Sequence, residues 1–570
     1  MPSRRMVILA LILGLLAAPA SARAADSFNI FGSGYGHGLG LSQYGAFGLA
    51  QDGWNERKIL THFYSRTEVE RAHGPGRLRI GLTQLRDRIR VRAVGGAVEL
   101  HVERPGGRRV GRIPADETWT IRPSQRRYKV LDAGGRVVGG RLWGSRDRHL
   151  YATFASPGSK ARIPEAGHTY NHGFLEFNLY SCSGGCELRL IAVLSAQAYL
   201  FGLAEVPSSW PMAALRAQAI AGRSYAFAKV RAQGQHRPGC NCGLYASAAD
   251  QVYAGWDKEG GYLGNRWVRA VKDTLNQVVT FNGRIVTAFY SSSSGGHTEN
   301  NENVWGGSPI AYLRGVCDPG DYTQANPSRV WKVSFTADNL TSRLRPYTGG
   351  IGTVRGFRNY DRGVSGRIVT VRVVGGSGSA VITGAELRAG LGLRDDRVWI
   401  NSNRNIEGVI RDRYDRLGCA PGLPTSPRSD VPGGFRQTFR HGAIYHNRDP
   451  SATVWLRGIV YEKYRKAGAA KGRLGLPIGP TNKLSSPDGC RLNQCSRTRF
   501  EGGNIYFRSG LGAHAIRGAV LKFYEGHKKG PGGQLGFPKT DVRRNQDGSK
   551  YAVFQGGTVT CESDGSCSVS

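Results

Sequence analysis

The chain has 570 residues, too many for one hydrophobic core, so two or more domains are expected. Its 40% apolar content suffices for packed cores, and 81 glycines favour turn-rich β structure over a helical bundle. The formal net charge of +36 calls for an anionic partner or a solvated basic surface, and composition alone does not separate these.

The N-terminus points to export. Arg4 and Arg5 form a charged start, residues 6 to 18 are an apolar run too short to span a bilayer, and Ala22-Arg23-Ala24 is a small-residue cleavage site. Residues 1–24 are therefore read as a signal peptide, and the mature chain as soluble outside the cytoplasm. Export argues against nucleic acid and leaves phosphate-bearing wall polymers and membrane headgroups as the available polyanions. The ten cysteines agree, since an even number in an exported chain suggests disulfides. They stand as the close pairs Cys182/Cys186, Cys240/Cys242, Cys490/Cys495 and Cys561/Cys567, plus Cys317 and Cys419. Their pairing is open. A bond between Cys240 and Cys242 closes a small, strained ring, so one of them is expected to reach Cys317.

Residues 26–70 contain FNIFGSGYGHGLGLSQYGAFGLAQDGW, with Gly32, Gly34, Gly36, Gly38 and Gly40 alternating with other residues. The spacing is not a dinucleotide fingerprint; it suggests backbone packed closely against another segment. Residues 46–50 and 56–64 read as short helices. Residues 75–180 alternate apolar and polar in short runs such as RLRIGLTQL and AVELHVER, which is antiparallel strand grammar. LRLIAVLSAQAYL, from residue 188, suits a buried strand or helix, EVPSSWP breaks the chain, and MAALRAQAIAGRSYAFAKVRAQ predicts a helix ending at Gly234. Leu215, Ala219 and Ala226 share a face, which predicts packing on the core. Residues 278–281 and 285–290, joined by Asn282-Gly283, predict a hairpin, and strand-like segments continue to about residue 400.

Beyond 405 the chain repeats. EGVIRDRY…GLP…FRHGAIY, RGIVYEKY…LGLP…FEGGNIY and RGAVLKFY…LGFP…FQGGTV have the same internal order, and Gly408, Gly458 and Gly518 stand 50 and 60 residues apart. Each copy reads as a short helix, a turn and a β-hairpin. The polar stretch 400–407 suits a domain boundary.

Glu205 is the sharpest chemical candidate, a carboxyl between an apolar segment and Pro207. Burial disfavours its charge, so it can stay protonated near neutral pH and serve as a general acid. The plainer reading is a solvated turn glutamate. His236, Cys240 and Cys242 could ligate zinc, but the spacing fits no standard closed motif and export favours disulfides, so no metal and no cofactor is expected.

YLFGLAEVPSSWPMAALRAQAIAGRSYA, DQVYAGW, FYSSSSGGHTENNENVWGG, YLRGVCDPGD and GSGYGHGLGLSQYGA together resemble motifs of the SpoIID/LytB (stage II sporulation protein D-like) family. In many members the last block closes the domain; here it opens it, as if permuted. The resemblance implies an α+β fold: an antiparallel-sheet-rich domain at 26–400 with an Ala-rich helix and a signature core at about 188–320. The tail at 405–570 resembles three LGFP repeats and implies a β-rich, wall-binding domain. By resemblance, Glu205 occupies the catalytic acid position, and His37, Gln43, Tyr44, Ser294, His297 and Glu299 line a glycan groove. The implied activity is lytic transglycosylation of peptidoglycan glycan strands. The acid protonates the glycosidic oxygen, then takes a proton from the sugar's own 6-hydroxyl as that oxygen attacks the anomeric carbon, leaving a 1,6-anhydro end. The alternative is a non-catalytic wall-binding protein or amidase enhancer. Both readings place the protein at the cell wall, with peptidoglycan, anionic wall polymers and a wall amidase as partners.

Overall fold

A computed structural model describes residues 27–182, 185–484, 490 and 494–570. The signal-peptide reading falls outside the described residues. No helix among them is long and apolar enough to cross a membrane. The fold is mixed α+β with a β-rich C-terminal region.

The strand grammar of residues 75–180 folds into two antiparallel sheets. In the larger, Arg77–Arg86, Glu187–Ser195, Phe174–Tyr180, Leu150–Phe154, Val98–Val102 and Arg108–Ile113 are consecutive neighbours, with Leu244–Tyr245 added in parallel at the Arg77–Arg86 edge. The smaller runs His168–Tyr170, Lys160–Ile163, Ile89–Val94, Thr118–Ser124 and Arg127–Leu131. Inward side chains of both, such as Val91, Ile121, Leu100 and Phe177, share one apolar core.

LRLIAVLSAQAYL divides between two elements. Glu187–Ser195 is a strand; Ser195 then caps a helix, Ala196–Phe201, its hydroxyl accepting from the Ala198 N–H. The Ala-rich helix spans Met212–Gln233, as its composition predicts, with Gly234 after it. It is buried on nearly every side rather than on one face, because its small residues let neighbouring backbone approach; a methyl at Gly222 would stand 2.6 Å from Leu203.

Three expectations are corrected. The hairpin strand after Asn282-Gly283 is only Arg284–Ile285, since the chain then leaves to pair Tyr290–Ser291 in parallel with Leu41–Ser42. The run to residue 400 is not all strand: Ala337–Thr348 and Gly384–Leu391 are helices, the second with a capping box between Thr383 and Glu386. They cover the sheet Val354–Arg362, Ile368–Gly375 and Ser379–Thr383, and Phe28 and Ile30 of the first strand complete that core. The cysteine expectation fails as well. Cys240 bonds Cys242 and Cys317 bonds Cys419. Asn241, at φ 54°, turns the chain between Cys240 and Cys242 and sets their Cα atoms 5.1 Å apart. The remaining pairs close as Cys182–Cys186, Cys490–Cys495 and Cys561–Cys567.

Each repeat is a helix followed by a four-stranded antiparallel meander, one hairpin more than the sequence reading. The helices are Gly408–Arg416, Gly458–Lys466 and Gly518–Gly526. Their tyrosines Tyr414, Tyr464 and Tyr524 meet the hairpin rings Phe439, Phe500 and Phe554 at 5.4, 4.8 and 4.5 Å between centroids. Tyr464 and Tyr524 donate to the carbonyls of Gly475 and Gly536 at 2.7 and 2.6 Å. The flanking Leu474, Leu476, Leu535 and Phe537 are buried, so LGLP and LGFP are core plugs. Each helix packs on the sheet of its own repeat, and the second and third also touch the sheet of the preceding one, so neighbouring copies share cores.

The first repeat is fastened to the preceding region. Besides Cys317–Cys419, Arg411 of its helix donates to the Asp318 carbonyl at 3.2 Å and lies over Tyr322. Its guanidinium occupies the space a side chain at Gly296 would need.

Candidate functional site

The Glu205 loop is held from several sides. Lys258 donates to the Val206 carbonyl, Arg266 to Ser208 O at 2.9 Å, and Trp267 to Leu200 O at 2.8 Å. Burial lowers the Lys258 ammonium to about 8. On the opposite side, the backbone pairs Ala204 with Val252. The Glu205 carboxylate itself accepts from the Val252 N–H at 2.7 Å.

The Gln43 amide donates to the Glu205 backbone carbonyl at 3.4 Å, and both this amide and the Tyr290 hydroxyl lie near enough to the carboxyl to favour its ionised form. Tyr290 is the end of a buried relay: Tyr199 donates to the Gln251 carbonyl oxygen at 3.0 Å, and the Gln251 amide donates to the Tyr290 oxygen at 2.8 Å. Gln43 also donates to Gln218 on the long helix at 3.3 Å. Burial raises the Glu205 pKa above the ordinary carboxylate value, and the three hydrogen bonds offset only part of that rise. A partly accessible carboxyl with a raised pKa suits proton donation.

Aromatic clusters lie on the segments that carry Gln43, Glu205 and Tyr290. Tyr44 meets Trp210 at 5.0 Å and Phe47 meets it at 5.2 Å. On the other side Trp305 contacts Phe289 at 4.6 Å and His37 at 5.2 Å, while Tyr225 bridges Phe289 and Tyr290. Trp305 is 52% exposed and Tyr35 50%, large apolar surfaces that suit the faces of sugar rings. His37 is pushed down to about 4 by burial and by the charges of Arg367 and Arg388, so it is neutral at physiological pH. Asp250, behind Tyr225, is buried and paired with Arg237 and Lys229.

The glycine block delivers Gln43 and Tyr44 to this place. Gly38 and Gly40 adopt φ of 71° and 64°, and a side chain at either would collide with Arg367 or with the Phe289 carbonyl. The close packing expected of the block is thus against the segment carrying Phe289 and Tyr290.

Ser294, His297 and Glu299 form a supporting layer. Ser294 is buried, its N–H facing Ser42 beside Gln43 and its hydroxyl donating to Asp318 at 2.6 Å. Asp318 and Asp321 lie together with their pKa values raised by burial, Asp318 to about 8. His297 faces the Thr298 carbonyl and is lowered to about 4 by burial. The buried Glu299 carboxylate accepts from Asn300, Asn303, Val364 and Ser365, so its oxygens are taken. His236 bonds Asn241, and Cys240 and Cys242 are consumed by their disulfide, so the three are not arranged as ligands.

Residue-by-residue reading missed Tyr290, Gln251, Tyr199 and Trp210. Tyr290 and Gln251 lie inside the quoted blocks FYSSSSGG and DQVYAGW, but only the fold brings Tyr290 beside Glu205 and Gln251 onto Tyr290.

Together these features define a mixed α+β domain with one elevated carboxyl in an aromatic-flanked site, followed by an array of helix-and-meander repeats. The chain carries a SpoIID domain and LGFP repeats: residues 185–281 match the Stage II sporulation protein family, and residues 422–472 and 474–529 the LGFP repeat. It is similar to the amidase enhancer of Bacillus subtilis (strain 168), 34% identical over 140 residues, which is 24% of this chain and 17% of that protein. It is also similar to the Stage II sporulation protein D of Bacillus amyloliquefaciens, 26% identical over 218 residues, 36% of this chain and 61% of that one. The protein of that name from Bacillus subtilis is 26% identical over 230 residues, 37% and 62% of the two chains. The chain spans less than two thirds of the length of each of these relatives.

Proposed function

We propose that this is an exported, wall-associated protein that cleaves peptidoglycan glycan strands as a lytic transglycosylase, with residues 405–570 holding it near its polymer. The observation that carries the reading is the partly accessible carboxyl of Glu205, raised by burial in a loop that also carries Trp210 against Tyr44. Glu205 protonates the glycosidic oxygen; the resulting carboxylate takes the proton of the sugar's 6-hydroxyl as that oxygen closes on the anomeric carbon. No activated water is required, which accords with Asp250 and Glu299 being occupied by other partners. Tyr290 and Gln43 stabilise the carboxylate between the two steps, and His37, Tyr44, Trp210 and Trp305 form the walls of the glycan groove. Ser294, His297 and Glu299 act behind it. Tethering raises local substrate concentration without altering the site.

A second reading, a non-catalytic protein that enhances a wall amidase, draws on the similarity to the Bacillus subtilis amidase enhancer. Mass spectrometry of glycan strands digested by the full chain separates the two. The transglycosylase reading expects 1,6-anhydro-muramic ends and a loss of about 10²–10⁴-fold or more in Glu205→Gln. No cleavage of intact or peptide-stripped strands by the wild type, with stimulation of an added amidase, establishes the second reading instead.

A further inference from the structure

The LGLP and LGFP residues are buried in the core, so a ligand of the array must be read by residues that differ from copy to copy. The groove between the first two repeats offers such residues. It encloses about 730 Å³ and is lined by Arg436, Arg440, Arg457, Arg465, Trp455 and Tyr461. Its one carboxylate is Glu462. None of the four arginines has an ion-pair partner among the described residues. Arg457 lies over Trp455 at 4.6 Å, Arg465 over Tyr461 at 5.8 Å, and Arg436 donates to the Tyr445 hydroxyl at 3.2 Å. Arg440, Arg457 and Arg465 are solvent-exposed.

The next junction has the same order of elements and less free positive charge. Counting from Phe439 and Phe500, and from Gly458 and Gly518, Glu501 stands where Arg440 does, Ala515 for Trp455, Leu521 for Tyr461 and Glu525 for Arg465. There Arg497, the counterpart of Arg436, is paired to Glu525 at 2.9 Å, and Glu501 accepts from Leu476 N–H and Asn447. The second groove keeps Arg517 in place of Arg457 but pairs Arg497 and replaces the other two arginines by Glu501 and Glu525; the first leaves four guanidinium groups around aromatic faces. Guanidinium forks match phosphate oxygens in pairs, and aromatic faces suit sugar rings.

We propose that the groove between the first and second repeats is a binding site for a phosphate-bearing glycan. The proposal rests on the envelope reading above for the source of that glycan, a phosphodiester wall polymer or a phosphorylated lipid headgroup. The test titrates the full chain with glucosylated poly(glycerol phosphate), with neutral dextran as control, following tryptophan fluorescence at physiological salt. Arg440→Glu/Arg465→Glu, and the milder Arg440→Gln/Arg465→Gln, are compared with Lys522→Glu/Lys529→Glu, an equal charge change on exposed residues of the third repeat. The groove variants are expected to bind about tenfold more weakly or worse, and the lysine variant within about twofold of wild type. Equal losses in both sets, or no loss in the arginine variants, overturns the site. Sedimentation with walls before and after hydrofluoric acid removes their phosphodiester polymers, and with phosphatidylinositol vesicles, then assigns the source; binding to either supports the proposal. Groove-dependent binding to glucosylated poly(glycerol phosphate), with none to walls or vesicles, keeps the site and overturns the envelope reading alone.

Discussion

Glu205 carries opposing demands. Burial raises its proton affinity while Val252, Tyr290 and Gln43 stabilise the ionised form, leaving a group able both to give and to retrieve a proton. The raised pKa has a thermodynamic consequence. The folded chain holds this proton more tightly than the unfolded one, so the group's stabilising contribution is complete below the unfolded value of 4.5 and is lost as pH rises through the folded value. Glutamine keeps the shape and carries no such loss. The melting temperature of Glu205→Gln relative to wild type is therefore expected to rise as pH climbs from below 4.5 through the neutral range. A constant difference across that range would show that Glu205 titrates as an ordinary surface acid. Gln43 and Tyr44 were legible as site residues because their block is unusual in itself. Tyr290 and Gln251 were not, because their roles depend on a hydrogen bond between residues 39 apart in the chain and on the proximity of Tyr290 to Glu205.

At the scale of elements, local chemistry was read well wherever it was self-sufficient. The Met212–Gln233 helix has strong helix formers and a glycine beyond its end. The helices Ala337–Thr348 and Gly384–Leu391 are short and stand directly after strands rich in Val and Thr, which mask them; the capping pair Thr383 and Glu386 marks the second in the sequence. The alternating glycines illustrate the opposite case, in which periodicity signalled close packing without saying against what. Gly38 has φ 71° and a missing side chain whose place Arg367 fills, and Arg367 is itself fixed by Asp395 and by two backbone carbonyls. Gly53 also has a positive φ, 82°, but nothing lies near its Cβ position. Gly53→Ala is expected to cost about 1–2 kcal/mol from backbone strain, and Gly38→Ala clearly more, because strain and collision add. Thermal denaturation of the two variants measures the difference; equal losses would mean that Arg367 moves aside freely.

At the scale of the molecule, the stretch 400–407 that reads as a linker is crossed by covalent and polar ties. Cys317–Cys419 and Arg411 join the first repeat to the preceding region, and Asn405 donates to Gly32 O at 3.2 Å. Protease cleavage at this stretch is expected to leave one species on a non-reducing gel and two on a reducing gel. Two separate fragments without reductant would show that the Cys317–Cys419 bond does not form. Residues 27–400 and 405–570 then remain a proposed division of labour, with the first repeat built as a bracket between them.

The sequence by itself determined the α+β class, the long helix, the repeat frame and the blocks that carry Glu205 and Gln43, because composition, periodicity and turn residues act over a few neighbours. Only the tertiary structure decided which cysteines meet, that the glycine block packs against Tyr290, that LGFP side chains are plugs, and that one inter-repeat groove keeps its arginines free. Those outcomes depend on registers and contacts between residues far apart in the chain, where a local pattern has no hold and the packing of whole elements sets the distance.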